Sequence, residues 1–96
     1  MHDDDGIKSA IRVFGQNLRK ARMARGLTLE VVSERAGINI RTLQRFEAGS
    51  SNVLITTAMR LKEAIDCSWS ELMEGYDKDS SKSSRIETSD RHILQQ

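Results

Sequence analysis

The 96-residue chain has no proline and a single cysteine, Cys67. One thiol excludes an intramolecular disulfide. A lone Cys in an apolar-periodic stretch reads as a small buried hydrophobe rather than a nucleophile. Only Phe14, Phe46, Trp69 and Tyr76 are aromatic, so the core must come from Leu, Ile, Val, Ala and Met. No apolar run approaches the ~20 residues that cross a bilayer. The opening MHDDDG lacks the basic start and apolar run of a secretory signal, so a cytoplasmic location is expected. Catalytic equipment is missing as well. His2 and His92 have no metal-ligand spacing, and Cys67 has no neighbouring base. No glycine-rich phosphate loop or paired carboxylates stand in a cleft-forming context. Neither an enzyme nor a cofactor is expected.

An excess of either charge is also lacking, with 15 Lys/Arg against 14 Asp/Glu and a net value of +1. Its distribution is uneven. Residues 7–49 hold nine Lys/Arg against three acids, a net +6, while residues 1–6 carry −3 and residues 50–96 carry −2. Such asymmetry fits a polyanion facing the first half of the chain. On charge alone, basic surface helices with no such partner fit equally well.

Apolar spacing predicts five helices and no strand. The first spans about Gly6 to Ala24, with Ile7, Ala10, Ile11, Phe14, Leu18 and Ala21 at three- and four-residue steps. Asp5 is its expected N-cap, and the acids before it suit the positive end of the helix dipole. Gly26 ends it, and Thr28 caps a second helix from Leu29 to Ala36. Gly37 supplies the turn. Asn39 caps a third helix that ends at Ala48 before Gly49, and a fourth runs from about Val53 to Ile65. Ser68 opens a short fifth, with Glu71 at the capping-box position and Trp69 and Leu72 as core contacts. The expected organisation is an acidic lead at 1–6, an all-α domain at 7–73, and a polar, serine-rich, flexible tail at 74–96 that serves as linker or partner-binding segment.

The third helix carries the strongest functional signal. At about 100° per residue, with Ile40 at zero, Leu43 falls near 300° and Phe46 near 240°. These form the inward stripe. Ile40, Arg41, Gln44 and Arg45 span the opposite arc. An aliphatic, an amide and two guanidinium groups make an unusual solvated face. A helix, a turn at Gly37 and a second helix with this basic outer face compose a helix-turn-helix.

The stretch FGQNLRKARMARGLTLEVVSERAGINIRTLQRFEAG resembles the lambda-repressor-like (Cro/repressor, or XRE) family of DNA-binding domains. The resemblance rests on Arg22, Gly26-Leu27-Thr28, Gly37 and Phe46-Glu47-Ala48-Gly49. It continues through Asn52, Leu61, Ile65, Trp69 and Leu72, covering about residues 11–73. Departures are Leu29 in place of a frequent Gln, Ser33 for Ala, Val53 for a common Pro and Leu54 for a polar cap. The resemblance implies a compact five-helix bundle whose third helix enters the major groove of double-stranded DNA. It also implies an ion pair between Arg22 and Glu47, which the wheel supports by placing Glu47 beside Leu43.

Roles for individual residues follow as expectations. Asn39, Ile40, Arg41, Gln44 and Arg45 would face base edges, with Arg41 or Arg45 on guanine and Gln44 on adenine. Ile40 would pack on a thymine methyl, or instead close the edge of the core. Phosphate contacts would come from Arg19, Lys20, Thr28, Ser50, Ser51 and Asn52, including backbone N–H groups at helix starts. A domain of this size reads few base pairs, so a homodimer on an inverted-repeat operator is expected. The rival reading is an antitoxin or adaptor of the same fold that chiefly grips a protein partner, through the 74–96 tail.

Overall fold

The computed structural model describes residues 3–76, all helical apart from turns and short connections. In chain order the helices are α1 (Asp3–Ala24), α2 (Leu29–Ala36), α3 (Ile40–Ala48), α4 (Ile55–Ile65) and α5 (Trp69–Leu72). Among the described residues there is no strand, and no helix is long and apolar enough to cross a membrane.

The helices start and stop where local chemistry dictates. Thr28 Oγ1 accepts the Val31 N–H, Asn39 Oδ1 accepts the Arg41 N–H, and Ser68 Oγ accepts the Glu71 N–H. Each cap satisfies a first-turn donor that has no intrahelical partner. Gly37 and Gly49 close α2 and α3 in the left-handed region, at φ 70° and 73°. In both, the next residue's N–H reaches back, Ile38 to Ser33 and Ser50 to Arg45, the double-bonded ending that a residue without Cβ adopts most readily. At α4 the same left-handed position is filled by Asp66, a residue type that tolerates it.

The core is one cluster at the centre of the bundle. Leu18 of α1, Val32 of α2, Leu43 of α3, Leu61 and Ile65 of α4 and Leu72 of α5 are all essentially inaccessible. Helix α1 packs on α3 and α5, and α2 packs on α3 and α4. Helices α2 and α4 also exchange side chains. Arg35 Nη1 donates to the Ala64 carbonyl at 3.0 Å, and Arg60 Nη1 donates to the Ala36 carbonyl at 3.4 Å. Each guanidinium thereby satisfies an orphan carbonyl in its neighbour's last turn. Cys67 is buried as a small apolar side chain, and burial pushes its thiol pKa up.

Several expectations need correction. Helix α1 begins at Asp3, so Asp5 lies within it rather than capping it. Asp5 suits the first turn because of the dipole there. Ile7 is exposed, because the N-terminal part of α1 extends beyond the helices that would cover it. Helix α4 starts at Ile55, two residues later than expected, and Leu54 offers no side-chain cap. Trp69 is 39% exposed rather than a core contact. Helix α5 is a single turn of four residues, and only Leu72 reaches the interior. The indole instead lies with Lys62 Nζ 5.8 Å from its centroid. Residues 77–96 of the expected tail lie outside the described residues.

Two polar features of α1 went unread in the sequence. Asn17 is buried, and its Nδ2 donates to the carbonyls of Leu72 at 2.8 Å and Glu74 at 2.9 Å. It ties the middle of α1 to the end of α5. Its place beside Leu18, and three residues after Phe14, marks it as an inward polar position. Arg25, just past the end of α1, pairs with Glu71 through Nη1 and Nη2, at 3.0 and 3.1 Å. That hydrogen-bonded pair holds the Glu71 carboxyl below its ordinary range and the Arg25 guanidinium above its own. Glu71 holds its place in the expected capping box, its N–H on the Ser68 hydroxyl and its carboxyl also held down by the Ser68 backbone N–H, while Arg25 engages it as well.

Candidate nucleic-acid interface

Helix α3 is held from behind and open in front. Leu43 and Phe46 are buried, whereas Arg41, Gln44 and Arg45 are exposed and Ile40 is half-buried. None of the three exposed side chains makes a hydrogen bond or ion pair among the described residues. The split follows directly from helical periodicity. Ile40 sits at the seam between the buried stripe and the polar face, a position compatible with both of its expected roles.

The rear attachment of α3 is polar as well as apolar. Arg22 Nε donates to Glu47 Oε2 at 2.7 Å and Nη2 donates to Oε1 at 3.0 Å, a two-pronged pair. The third prong, Nη1, donates to the Leu27 carbonyl at 2.9 Å. With side-chain exposures of 11% and 8%, both groups are largely removed from water. The Glu47 hydrogen bond keeps the Arg22 pKa above its ordinary value, against the lowering effect of burial. The pair joins α1, the turn before α2 and the last turn of α3 at one point.

A second attachment is steric. A Cβ built on Gly15 would lie 2.2 Å from the Phe46 carbonyl oxygen, 3.1 Å from that of Glu47 and 3.2 Å from the Gly49 nitrogen. All three are backbone atoms. Helix α1 thus crosses the end of α3 at a separation that only glycine permits.

The remaining expected contact residues are distributed unequally. Asn39 has its Oδ1 engaged in the cap, which leaves its amide N–H groups to donate. Thr28 accepts a backbone N–H, so its hydroxyl proton remains available. Ser50 spends its hydroxyl proton on the Arg45 carbonyl at 3.3 Å. Ser51 is half-buried and Asn52 exposed, between Gly49 and the start of α4. Arg19 is exposed, with Nε 3.4 Å from Met23 Sδ. Lys20 is not on the same side. It shares a cleft with Asn17, Glu71 and Glu74 next to α5, so Arg19 and Lys20 do not form one phosphate-binding unit.

From Asn52 onward, an open apolar groove of about 410 Å3 is lined by Ile11, Phe14, Val53, Ile55, Trp69 and Met73, among others. Leu54, 72% exposed, is adjacent in sequence to two of its lining residues, and Ile55 itself is 67% exposed.

Comparison with known proteins agrees with this geometry. The family described as helix-turn-helix matches residues 18–72, which include every helix from α2 to α5. Proteins named HTH-type transcriptional regulatory proteins from Pyrococcus abyssi and Pyrococcus furiosus are each 34% identical over 56 residues, 58% of this chain. The match spans only 18% of their length. Among solved structures, the restriction-modification controller protein C.AhdI from Aeromonas hydrophila is similar at a TM-score of 0.64 and 31% identity. That alignment covers 68% of this chain and 94% of the controller.

Proposed function

This chain belongs to the lambda-repressor-like helix-turn-helix family of DNA-binding transcription regulators, a non-enzymatic class, and from that membership we propose that it is a sequence-specific regulator of the repressor or controller type, with α3 as its reading helix. The observation that carries the proposal is the free edge of Arg41, Gln44 and Arg45 on a helix fixed from behind by Leu43, Phe46 and the Arg22–Glu47 pair. A major groove admits one helix and offers the guanine O6/N7 edge to guanidinium and the adenine N6/N7 edge to an amide. Arg41 and Arg45 suit the first and Gln44 the second. Asn39 adds amide donors, and Ile40 supplies an apolar contact for a thymine methyl. Thr28, Ser51, Asn52 and Arg19 position the backbone, together with the N–H groups at the start of α4. Ser50 takes no part in this reading, since its backbone N–H and its hydroxyl both donate to the Arg45 carbonyl.

The partner is a duplex carrying an inverted repeat, bound by two copies of the chain. The apolar face of α4 and α5 is the surface we assign to the pairing. Leu54, Ile55 and Met59 are exposed there, and Ile55 forms part of the wall of the groove that Phe14 and Trp69 also line. A twofold contact needs one self-complementary patch, and an apolar patch of this kind marks an interface. A protein partner seated on the same groove is the second reading, and the groove is the observation that favours it.

Selection of bound duplexes from a random pool tests the proposal. Recovered sites with two related halves about 10 base pairs apart are expected. Arg41→Ala should then relax preference at one position of each half, costing about 1–3 kcal/mol on the selected site and little on random DNA. Arg19→Ala should weaken both equally and flatten the salt dependence. A pool that emerges unenriched at low salt would overturn the reading.

A further inference from the structure

Arg12 stands at an unusual place. A Cβ built on Gly49 would lie 3.0 Å from the Arg12 Cα and 3.1 Å from its Cγ. The stem of Arg12 therefore passes directly over the glycine that ends α3, where the chain turns into the 50–54 connection. Arg12 is exposed and forms no ion pair or hydrogen bond among the described residues. At about 100° per residue, Lys8, Arg12 and Arg19 fall within about 40° of one another on α1. Gly15, which touches the backbone of α3, borders that stripe directly. One edge of α1 is thus a row of cations laid against the end of the reading helix. Charge of this kind, in line with a groove-entering helix, suits the phosphodiester chain that borders the groove.

We propose that Arg12, backed by Lys8, holds a DNA phosphate beside the Gly49–Leu54 connection, extending the backbone contacts of Ser51 and Asn52 onto α1. This rests on the reading of α3 as the groove-entering helix. The contact is independent of sequence, because a phosphate carries no base identity. It also gives a reason for the packing of Arg12 on Gly49. The backbone approach there fixes the Arg12 main chain and stem relative to α3, so the α1 contact and the reading helix keep one register.

The test compares Arg12→Gln, which keeps most of the stem over Gly49 and removes the charge, with Arg25→Ala, which removes a cation just past the end of α1, where it is paired with Glu71. Duplex affinity is titrated against salt for the selected site and for random DNA, alongside the thermal midpoint. Arg12→Gln should lower the salt slope by about 0.9 and weaken both duplexes about three- to ten-fold at low salt, with Arg25→Ala leaving the slope unchanged. An unchanged slope for Arg12→Gln at wild-type stability would overturn the contact. So would a loss confined to the selected site, which would mean base reading instead. Failure of the unaltered chain to bind any duplex would overturn the proposed function itself, a different result from either.

Discussion

Glu47→Ala is expected to destabilise the protein by about 3–5 kcal/mol, the cost of stranding one partner of a buried ion pair. The carboxylate accepts two guanidinium hydrogen bonds from Arg22, and both side chains are roughly nine-tenths removed from water. Without Glu47, Arg22 keeps only the Leu27 carbonyl, and its charge has little access to solvent. Each kcal/mol lowers the midpoint of a domain this small by about 4–8 °C, so thermal unfolding followed by circular dichroism reads the effect easily. Replacing both partners together by apolar residues of similar size should cost much less than the single change, since no uncompensated charge is left behind. A single-mutant loss below about 1 kcal/mol would put the pair in the class of exposed salt bridges and remove it as the anchor of α3.

Gly15→Ala is expected to destabilise despite improving helix propensity. In an exposed helix interior, Ala gains about 1 kcal/mol over Gly. Here the new methyl meets the Phe46 carbonyl oxygen at 2.2 Å, with two further backbone atoms near 3 Å. No rotamer change relieves a clash between a Cβ and a main chain, so α1 and α3 must separate. Overpacking of this kind costs about 1–3 kcal/mol, occasionally more, and Gly15→Val should be worse. The displacement falls on the last turn of α3. DNA affinity should therefore drop further than the lost stability accounts for at temperatures where the variant is still folded. A Gly15→Ala protein with a midpoint at or above that of the parent chain would contradict the close crossing.

Much of this architecture was legible because it depends on chain-local rules. Thr28, Asn39 and Ser68 announce helix starts through their own hydroxyl or amide chemistry, and Gly37 and Gly49 announce stops. The Leu43/Phe46 stripe separates from Arg41, Gln44 and Arg45 by angle alone. Cys67 and the Arg22–Glu47 pair were anticipated correctly. What failed depends on partners distant in sequence. The exposure of Ile7 depends on how far α1 outruns the bundle, which spacing does not encode. Trp69 shares a helix face with buried Leu72 and still stays at the surface, with Lys62 from the neighbouring α4 over its ring. Asn17 and Gly15 carry contacts to residues 55 and 31 positions away, so nothing beside them in the sequence named their partners.

The arrangement of α3 has an evolutionary consequence. Arg41, Gln44 and Arg45 support nothing behind them, while Leu43, Phe46 and Glu47 do all the holding on the same nine-residue helix. On the proposed reading of α3, substitutions at the free positions should redirect the protein to new targets almost without thermodynamic penalty. Exchanging those three side chains for the equivalents of a sister regulator should transplant target preference while the host scaffold melts at an unchanged temperature.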